Sequence, residues 1–197
     1  MKILSYYTFD TPYMDEARKL AMSLDVLGLK HEIAVKPNLG SWDLNTKHKV
    51  EVIRTVLERT HDDVLFIDAD ATFHGIPEIN TDCPLAAHVM DKAYWGQNTD
   101  KRAYSLMSGT LWFKYCPEAF EILDAWDEEN KYSPKVWDQH NLEAAIDFDP
   151  RTGAVWGKWK LEKLDARYCA IDRTMPKVDG AIIRHHQASR RLKKKIK

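Results

Sequence analysis

The stretch Val64-Leu65-Phe66-Ile67-Asp68-Ala69-Asp70 decides the interpretation of this sequence, because four apolar residues run directly into two carboxylates. A continuous apolar run of this length is typical of a strand buried on both faces. Side chains at i and i+2 on extended backbone point to the same side, so Asp68 and Asp70 emerge together where the strand ends. Two carboxylates so close repel each other unless a cation lies between them. The stretch therefore predicts a site for a hard divalent ion.

Two β-α units come before this stretch. Apolar residues spaced three and four apart predict a helix that ends near Gly28 and a second helix that ends near Thr60. Strands are predicted at residues 2–7 and 31–35. The β-α-β-α-β order predicts an α/β fold with an open, largely parallel sheet and helices on its faces. Ligands of such sheets bind beyond the carboxyl ends of the strands, where Asp68 and Asp70 lie.

The alternation of strands and helices is less regular after residue 70. Strands are predicted at 85–90, 111–115 and 181–183, and helices are predicted to open at Pro117 and Asp138. A polar loop is expected at residues 91–102. With 197 residues, 44% hydrophobic and 30% charged, the chain has the composition of one folded domain.

Charge and cysteine content bound the setting. The formal net charge is -1, yet residues 184–197 hold seven Lys or Arg residues and no acidic one. Such a tail is either a solvated end or a contact for a polyanion. The three cysteines are widely spaced and are expected to be reduced thiols. No signal peptide or membrane span is visible, so a cytoplasmic location, in a bacterial or phage-infected cell, is the expectation.

Several segments in this order resemble the GT-A-type glycosyltransferases, in particular their small, phage-like members. The resemblance covers most of the chain and rests on the loop from Thr8 to Tyr13, Phe66-Ile67-Asp68-Ala69-Asp70, Ser108-Gly109-Thr110-Leu111-Trp112-Phe113, Trp137-Asp138-Gln139-His140-Asn141-Leu142 and His185-His186-Gln187-Ala188-Ser189-Arg190. It implies a GT-A-like, Rossmann-type open mixed sheet, mostly parallel and flanked by helices. Residues 1–197 would form one catalytic domain, with a nucleotide-binding half (1–80), a donor-sugar and acceptor half (81–183) and a basic tail (184–197).

The resemblance also implies a metal site. Asp70 would bind Mn²⁺ or Mg²⁺ directly, and Asp68 would bind the metal or the ribose. Members of the family add a histidine near the C-terminus, so His185 and His186 are the candidates. Adjacent residues on a strand point in opposite directions, so only one of the two can face the metal, and His185 is preferred. A surface pair of histidines is the alternative.

The remaining site residues follow from the same resemblance. Thr8, Asp10 and Tyr13 would contact base and ribose, together with Asp68 and Ala69. Lys47, His48 and Lys49 open a helix, where positive charge opposes the helix dipole unless an anion binds there. Lys47, His48 and Lys49, together with Arg184 and Arg190, are therefore candidates for phosphate contacts, and a solvated helix start is the alternative. Ser108 and Gly109 would approach the donor sugar, because glycine lets backbone come close to a ligand.

Asp138 and Gln139 are the candidate catalytic residues. In inverting members a carboxylate at this point deprotonates the acceptor hydroxyl. In retaining members an Asp-Gln pair at a helix start holds the donor sugar, and the dipeptide favours this role. An ordinary helix cap is the alternative for Asp138.

These residues predict a metal-dependent glycosyltransferase that moves a sugar from a nucleotide diphosphate, with a UDP-sugar as the expected donor, to a hydroxyl acceptor. A hydroxymethylated base in DNA is one acceptor, and a saccharide or another hydroxyl compound is the other. Ile67 to Thr72 also fits the first motif of haloacid-dehalogenase-like phosphatases, with Asp68 as nucleophile. In that family the motif closes the first strand, whereas two β-α units come first here. A nucleotide-binding module without catalysis is a further alternative. The sequence leaves the sugar, the acceptor, the stereochemistry and the oligomeric state open.

Overall fold

The structure, a computed structural model, describes residues 1–97, 99–100, 102–175 and 177–192. Its strands are β1 (Lys2–Thr8), β2 (His31–Lys36), β3 (Val64–Ile67), β4 (Ala71–Phe73), β5 (Leu85–Asp91), β6 (Tyr104–Phe113), β7 (Phe148–Asp149), β8 (Ala154–Val155), β9 (Leu161–Lys163), β10 (Ala170–Ile171) and β11 (Ile183–His185). Its helices are α1 (Tyr13–Val26), α2 (Trp42–Asn45), α3 (His48–Thr60), α4 (Pro117–Tyr132), α5 (Asp138–Ala145) and α6 (Ser189–Leu192), with a 3₁₀ turn at Ala166–Tyr168.

The central sheet has six strands in the order β2-β1-β3-β6-β5-β9. Strand β1 is parallel to both β2 and β3, and β9 is parallel to β5. Strand β6 is antiparallel to both of its neighbours, β3 and β5. Five of the six strands therefore run in one direction, which confirms the expected α/β class with an open, mostly parallel mixed sheet.

The apolar run 64–67 is buried because helices cover both faces of β3. Val64 and Phe66 pack on the side that holds α3 and α4, whereas Leu65 and Ile67 pack with α1. All four residues are fully buried. Their burial stabilises the strand by roughly 1.5 to 3 kcal/mol per side chain. Because successive side chains alternate between two covered faces, the strand must be apolar at every position, and the first polar residues mark the sheet's edge.

The C-terminal segment differs from the expectation. The last strand lies at Ile183–His185 rather than at 181–183, and it pairs antiparallel with β4. Helix α6 follows it, with Leu192 buried. Residues 184–192 therefore belong to the fold rather than to a solvated tail, because Ala188 and Leu192 are buried and anchor the segment. Residues 193–197, the rest of the predicted tail, lie outside the described part of the chain.

Smaller differences concern element bounds. Strand β6 begins at Tyr104, seven residues before the expected start, because it continues to pair with β5 past a bulge at Ala87 and His88. Helix α2, between β2 and α3, was not predicted; Ser41 is its cap, because the Ser41 hydroxyl accepts a hydrogen bond from Leu44 N. No helix in the described ranges is long and apolar enough to cross a bilayer.

Candidate active site

Asp68 and Asp70 lie immediately beyond β3, in the short connection to β4. The side chain of Asp70 is largely buried, and its Oδ2 accepts a hydrogen bond from Ala188 N at 2.6 Å. The backbone oxygen of Asp70 accepts from His186 N at 2.9 Å. Gln187, between these two donors, has a left-handed backbone (φ +50°) that turns both N–H groups toward Asp70. The segment after β11 thus wraps around Asp70 and holds its carboxylate in place.

The two adjacent histidines point in opposite directions. His185 is buried, with its Nδ1 3.9 Å from Asp70 Oδ1 and its Nε2 2.8 Å from the Thr110 hydroxyl. His186 is bonded instead to Asp172 Oδ2 through Nδ1 and to the Thr72 hydroxyl through Nε2. Of the two, His185 is therefore the one that faces the carboxylate pair, and His186 belongs to a separate polar cluster.

The charge around His185 favours a cation. Burial lowers the pKa of its imidazole, but the neighbouring Cys169 sulfur and the Asp70 carboxylate raise it more, to about 10. For Asp70, burial raises the pKa, but the charge of His185 and the hydrogen bond from the Ala188 N–H outweigh it, so the pKa is below its usual value. The site attracts positive charge, which a metal ion would supply in place of the proton.

A divalent ion fits part of this donor set. Asp70 and His185, with 3.9 Å between Oδ1 and Nδ1, are near enough that both could hold one ion. Gly109 lies against them, and a Cβ there would come within 2.9 Å of His185 Cε1 and 3.3 Å of Asp68 Oδ2. Among the described residues, no group of three His, Cys, Asp or Glu side chains would hold an ion by itself. Asp70 and His185, with Asp68 beside them, therefore suit an ion whose other ligands are substrate oxygens or water.

Lys49 lies on the opposite side of the same carboxylates. Its buried ammonium donates to Asp138 Oδ2 at 2.7 Å and to the Ser108 backbone oxygen at 3.0 Å, and it contacts Asp68 Oδ1 at 3.0 Å. These three partners use all three ammonium protons. Burial disfavours the charged form, but Asp138 and Asp68 together outweigh it, so the pKa of Lys49 is raised above its ordinary value.

Asp138 is the second fixed carboxylate. It is the first residue of α5, and its side chain bonds to Lys49 and to the Ser108 hydroxyl at 3.1 Å. The alternative of an ordinary helix cap does not hold, because the helix begins after Trp137 and has no side-chain cap. Gln139 lies beside it and faces the same cavity.

Two adjoining cavities form what we call the cleft. The first, of about 100 Å³, is lined mainly by aromatic and small polar residues: Tyr6, Tyr7, Thr8, Tyr13, Trp42, Asn45, Thr46, Lys49 and Ala69. The second, of about 220 Å³, is lined by Met107, Ser108, Gly109, Trp137, Gln139, Cys169, Ile171, His185 and Gln187. Asp68, Asp70, Asp138, Trp42 and Ser189 border both. The carboxylates therefore lie where the two cavities meet, the first rich in aromatic residues and the second lined by both polar and apolar residues.

Some predicted site residues lie elsewhere. Asp10 is exposed in a turn with φ +53° and does not line either cavity. Lys47 donates to the Val136 backbone oxygen at 2.5 Å, outside the cleft. Arg190 is exposed, and Arg184 pairs with Asp172 at 3.3 Å. In these places the structure does not support the predicted phosphate and ribose contacts, and Lys49 rather than Lys47 reaches the carboxylates.

Tyr6, Trp42 and Asn45 are cleft residues that sequence reasoning missed. Tyr6 and Thr8 share one side of β1 by the period of two, which is a signal for Tyr6. Trp42 and Asn45 lie on the short helix α2, and Trp42 Nε1 donates to the Tyr13 hydroxyl at 3.0 Å. Nothing local in the sequence marks this contact, because it joins residues 29 positions apart.

The sequence matches no protein-family model and no curated protein. Three solved structures are similar over nearly the whole chain. A glycosyltransferase involved in the glycosylation of the major capsid of PBCV-1 is 16% identical, with 96% of this chain and 95% of that chain covered and a TM-score of 0.67. The galactosyltransferase LgtC, in complex with donor and acceptor sugar analogs, is 13% identical, with 95% and 87% covered and a TM-score of 0.57.

An active-site mutant of LgtC is 12% identical, with the same coverage of 95% and 87% and a TM-score of 0.60. At identities this low the likeness concerns the path of the chain and not its residues. It agrees with a mixed, mostly parallel central sheet flanked by helices. The chain therefore has the GT-A type of glycosyltransferase fold.

Proposed function

We propose that this chain is a metal-dependent glycosyltransferase that moves a sugar from a nucleotide diphosphate, with UDP as the first candidate, to a hydroxyl acceptor. One observation carries the proposal: Asp70 and His185 face each other 3.9 Å apart at the cleft, in a GT-A fold. LgtC, a structure with this fold, was solved with donor and acceptor sugar analogs.

The aromatic cavity suits the nucleoside. Tyr13 and Trp42 border it, and the contact between the Tyr13 hydroxyl and the Trp42 indole fixes both rings. A planar base can stack on such a ring, and Asn45 and Thr8 offer polar atoms beside it. The diphosphate would then lie near Asp68 and Asp70, where the two cavities meet.

Asp70 and His185 would hold the metal, with Asp68 beside them. When bound, the ion supplies positive charge that offsets the charge developing on the departing diphosphate. Thr110 holds the His185 ring by its Nε2, which leaves Nδ1 for the metal side. The Ala188 N–H fixes Asp70 in the same way.

Asp138 and Gln139 would hold the donor sugar. The Asp138 carboxylate already accepts hydrogen bonds from the Lys49 ammonium at 2.7 Å and from the Ser108 hydroxyl, so it is engaged within the protein and not positioned to take a proton from an acceptor hydroxyl. This supports the sugar-holding role over deprotonation of the acceptor, and with it a retaining reaction. Gly109 leaves room for the sugar to approach the metal side.

A saccharide acceptor has more support than DNA. The DNA hypothesis rests on the basic C-terminal segment, yet Arg184 pairs with Asp172 and Arg191 with Glu16. Within residues 184–192, only Arg190 has no acidic partner among the described residues. The lysines of the tail lie outside the described part of the chain.

A thermal-shift panel tests the proposal. UDP and UDP-sugars should raise the melting temperature only when Mn²⁺ is present, because a ligand bound by the folded state alone stabilises it. Release of UDP from a UDP-sugar, measured by chromatography, should also need Mn²⁺. Stabilisation by a beryllium fluoride phosphate mimic without nucleotide would point to the phosphatase alternative. Nucleotide binding without any turnover would point to the non-catalytic module.

A further inference from the structure

The cleft offers few protein groups that can bind the phosphates of a nucleotide. Among the described lysines and arginines, only Lys49 borders it, and all three protons of the Lys49 ammonium already have protein partners. Ionised phosphate oxygens accept hydrogen bonds and donate none. A diphosphate in the cleft would therefore depend on the metal ion and on uncharged hydrogen-bond donors of the protein.

Most side-chain donors that border the first cavity bond within the protein. They belong to Tyr6, Thr8, Trp42, Asn45, Thr46 and Lys49. The Tyr13 hydroxyl is one of the exceptions. It accepts a hydrogen bond from Trp42 Nε1 at 3.0 Å, and it donates its own proton to no residue in the described part of the chain. This proton is therefore available to a ligand.

Trp42 fixes the direction of this proton. An indole nitrogen can only donate, so the phenol oxygen of Tyr13 is the acceptor and its O–H bond points away from Trp42. Tyr13 borders the same cavity as Asp70. Burial and the Asp70 carboxylate raise the pKa of Tyr13 above its ordinary value, so the two side chains are close enough to interact. The hydroxyl is thus a fixed donor near the carboxylate that would hold the metal.

We propose that the Tyr13 hydroxyl, oriented by Trp42, donates a hydrogen bond to the diphosphate of the bound nucleotide. The diphosphate is the part of the nucleotide that a metal ion at Asp70 would bind, so its oxygens would lie beside this hydroxyl. The identity of the ligand as a nucleotide diphosphate rests on the proposed function. Tyr13 would then contact two parts of the nucleotide, the base through its ring and the diphosphate through its hydroxyl.

Ribose and base oxygens are weaker partners for this hydroxyl than phosphate oxygens. A hydrogen bond to an ionised acceptor is roughly twice as strong as one between neutral groups. The hydrogen bond that Tyr13 accepts from Trp42 polarises its O–H group further, because hydrogen bonds in a chain strengthen one another. A polarised donor gains most from a charged acceptor, and the diphosphate is the charged part of the nucleotide.

Calorimetric titration of the intact chain with Mn²⁺ present tests the proposal with three probes: UDP, inorganic pyrophosphate and uridine. Tyr13→Phe keeps the ring and removes the hydroxyl. UDP and pyrophosphate should then bind about tenfold more weakly, the usual loss for one hydrogen bond to a charged group. The affinity for uridine, which has no phosphate, should not change. Tyr132→Phe, the same change at a tyrosine that is 87% exposed, is the matched control and should alter none of the three affinities.

Four results would overturn the proposal: no binding of UDP or pyrophosphate by the wild type, wild-type affinity of Tyr13→Phe for both, an equal loss for uridine, or an equal loss in Tyr132→Phe. The third would assign the hydroxyl to the nucleoside. Failure of the glycosyltransferase proposal has a different signature. No UDP-sugar would then release UDP in the presence of Mn²⁺, whereas the binding of pyrophosphate would still depend on Tyr13.

Discussion

The charged side chains on the two sides of the cleft have different partners. On one side Lys49 lies between Asp68 and Asp138, and every ammonium proton has a protein partner. On the other side Asp70 and His185 face each other across 3.9 Å, each fixed from behind by Ala188 N or by Thr110. On the first side the protein itself supplies the cation, the Lys49 ammonium, whereas on the second side an imidazole faces the carboxylate at a distance that leaves room for an ion. Asp68 therefore belongs to the first side and Asp70 to the second.

The largest effect is expected from Asp70→Asn, which removes the negative charge on the open side. Metal-dependent binding of UDP should be lost, because neutral amide oxygen is a weaker ligand for a hard ion. Calorimetric titration with UDP in the presence of Mn²⁺ measures this loss of binding. Asp10→Asn is the matched control, since Asp10 lies in an exposed turn away from the cleft. If Asp10→Asn were equally damaging, our placement of the nucleotide would be wrong.

Lys49→Met should instead reduce stability. It leaves the buried Asp138 carboxylate without its cation, and breaking a buried pair in this way costs about 3 to 5 kcal/mol. Urea unfolding followed by fluorescence measures the loss. Lys47→Met provides the comparison, because Lys47 bonds to a backbone oxygen and is partly exposed. Equal losses in the two variants would contradict the contrast between the two sides.

Thr110→Val should weaken metal binding about 10- to 100-fold with little change in fold, because outer partners of ligating histidines tune affinity by this amount. The Mn²⁺ electron paramagnetic resonance titration reads the metal directly. Thr110→Ser, which restores a hydroxyl, should recover most of the affinity. A Thr110→Val protein with normal Mn²⁺ affinity would show that the bond to His185 Nε2 is only structural.

The smallest effect is expected from His186→Gln. His186 bonds to Asp172 and Thr72 on the far side of β11, so Mn²⁺ affinity should stay within about twofold of wild type, as is usual for residues remote from a site. His185→Gln in the same titration should abolish binding. Reversal of this order would mean that the strand presents the other histidine to the cleft.

The first half of the fold was accessible from local patterns. Residues 64–67 are apolar at every position because both faces of β3 are covered, and α1 and α3 show the spacing of helices with one buried face. The segments after residue 70 were less predictable. Strand β6 was placed seven residues too late, since its early part is set by pairing with β5 and not by an apolar run.

The candidate site shows the same division. That Asp68 and Asp70 emerge together, and that only one of His185 and His186 can join them, follows from the two-residue period of extended backbone. Which histidine joins them does not, because it depends on how β11 pairs with β4. Lys47 and Lys49 are equally basic in the sequence, and burial alone separates them.

The amino-acid sequence by itself determined the buried strand, the carboxylates beyond it and the α/β order that places them at a sheet edge. Each of these features follows from the spacing of apolar and polar residues along a strand or a helix, which is local in the sequence. The tertiary structure decided which residues these site side chains contact. Lys49 meets Asp138 across 89 residues, and Asp70 meets Ala188 across 118. Such contacts arise where separate elements pack together, and neither residue carries a local mark of the other.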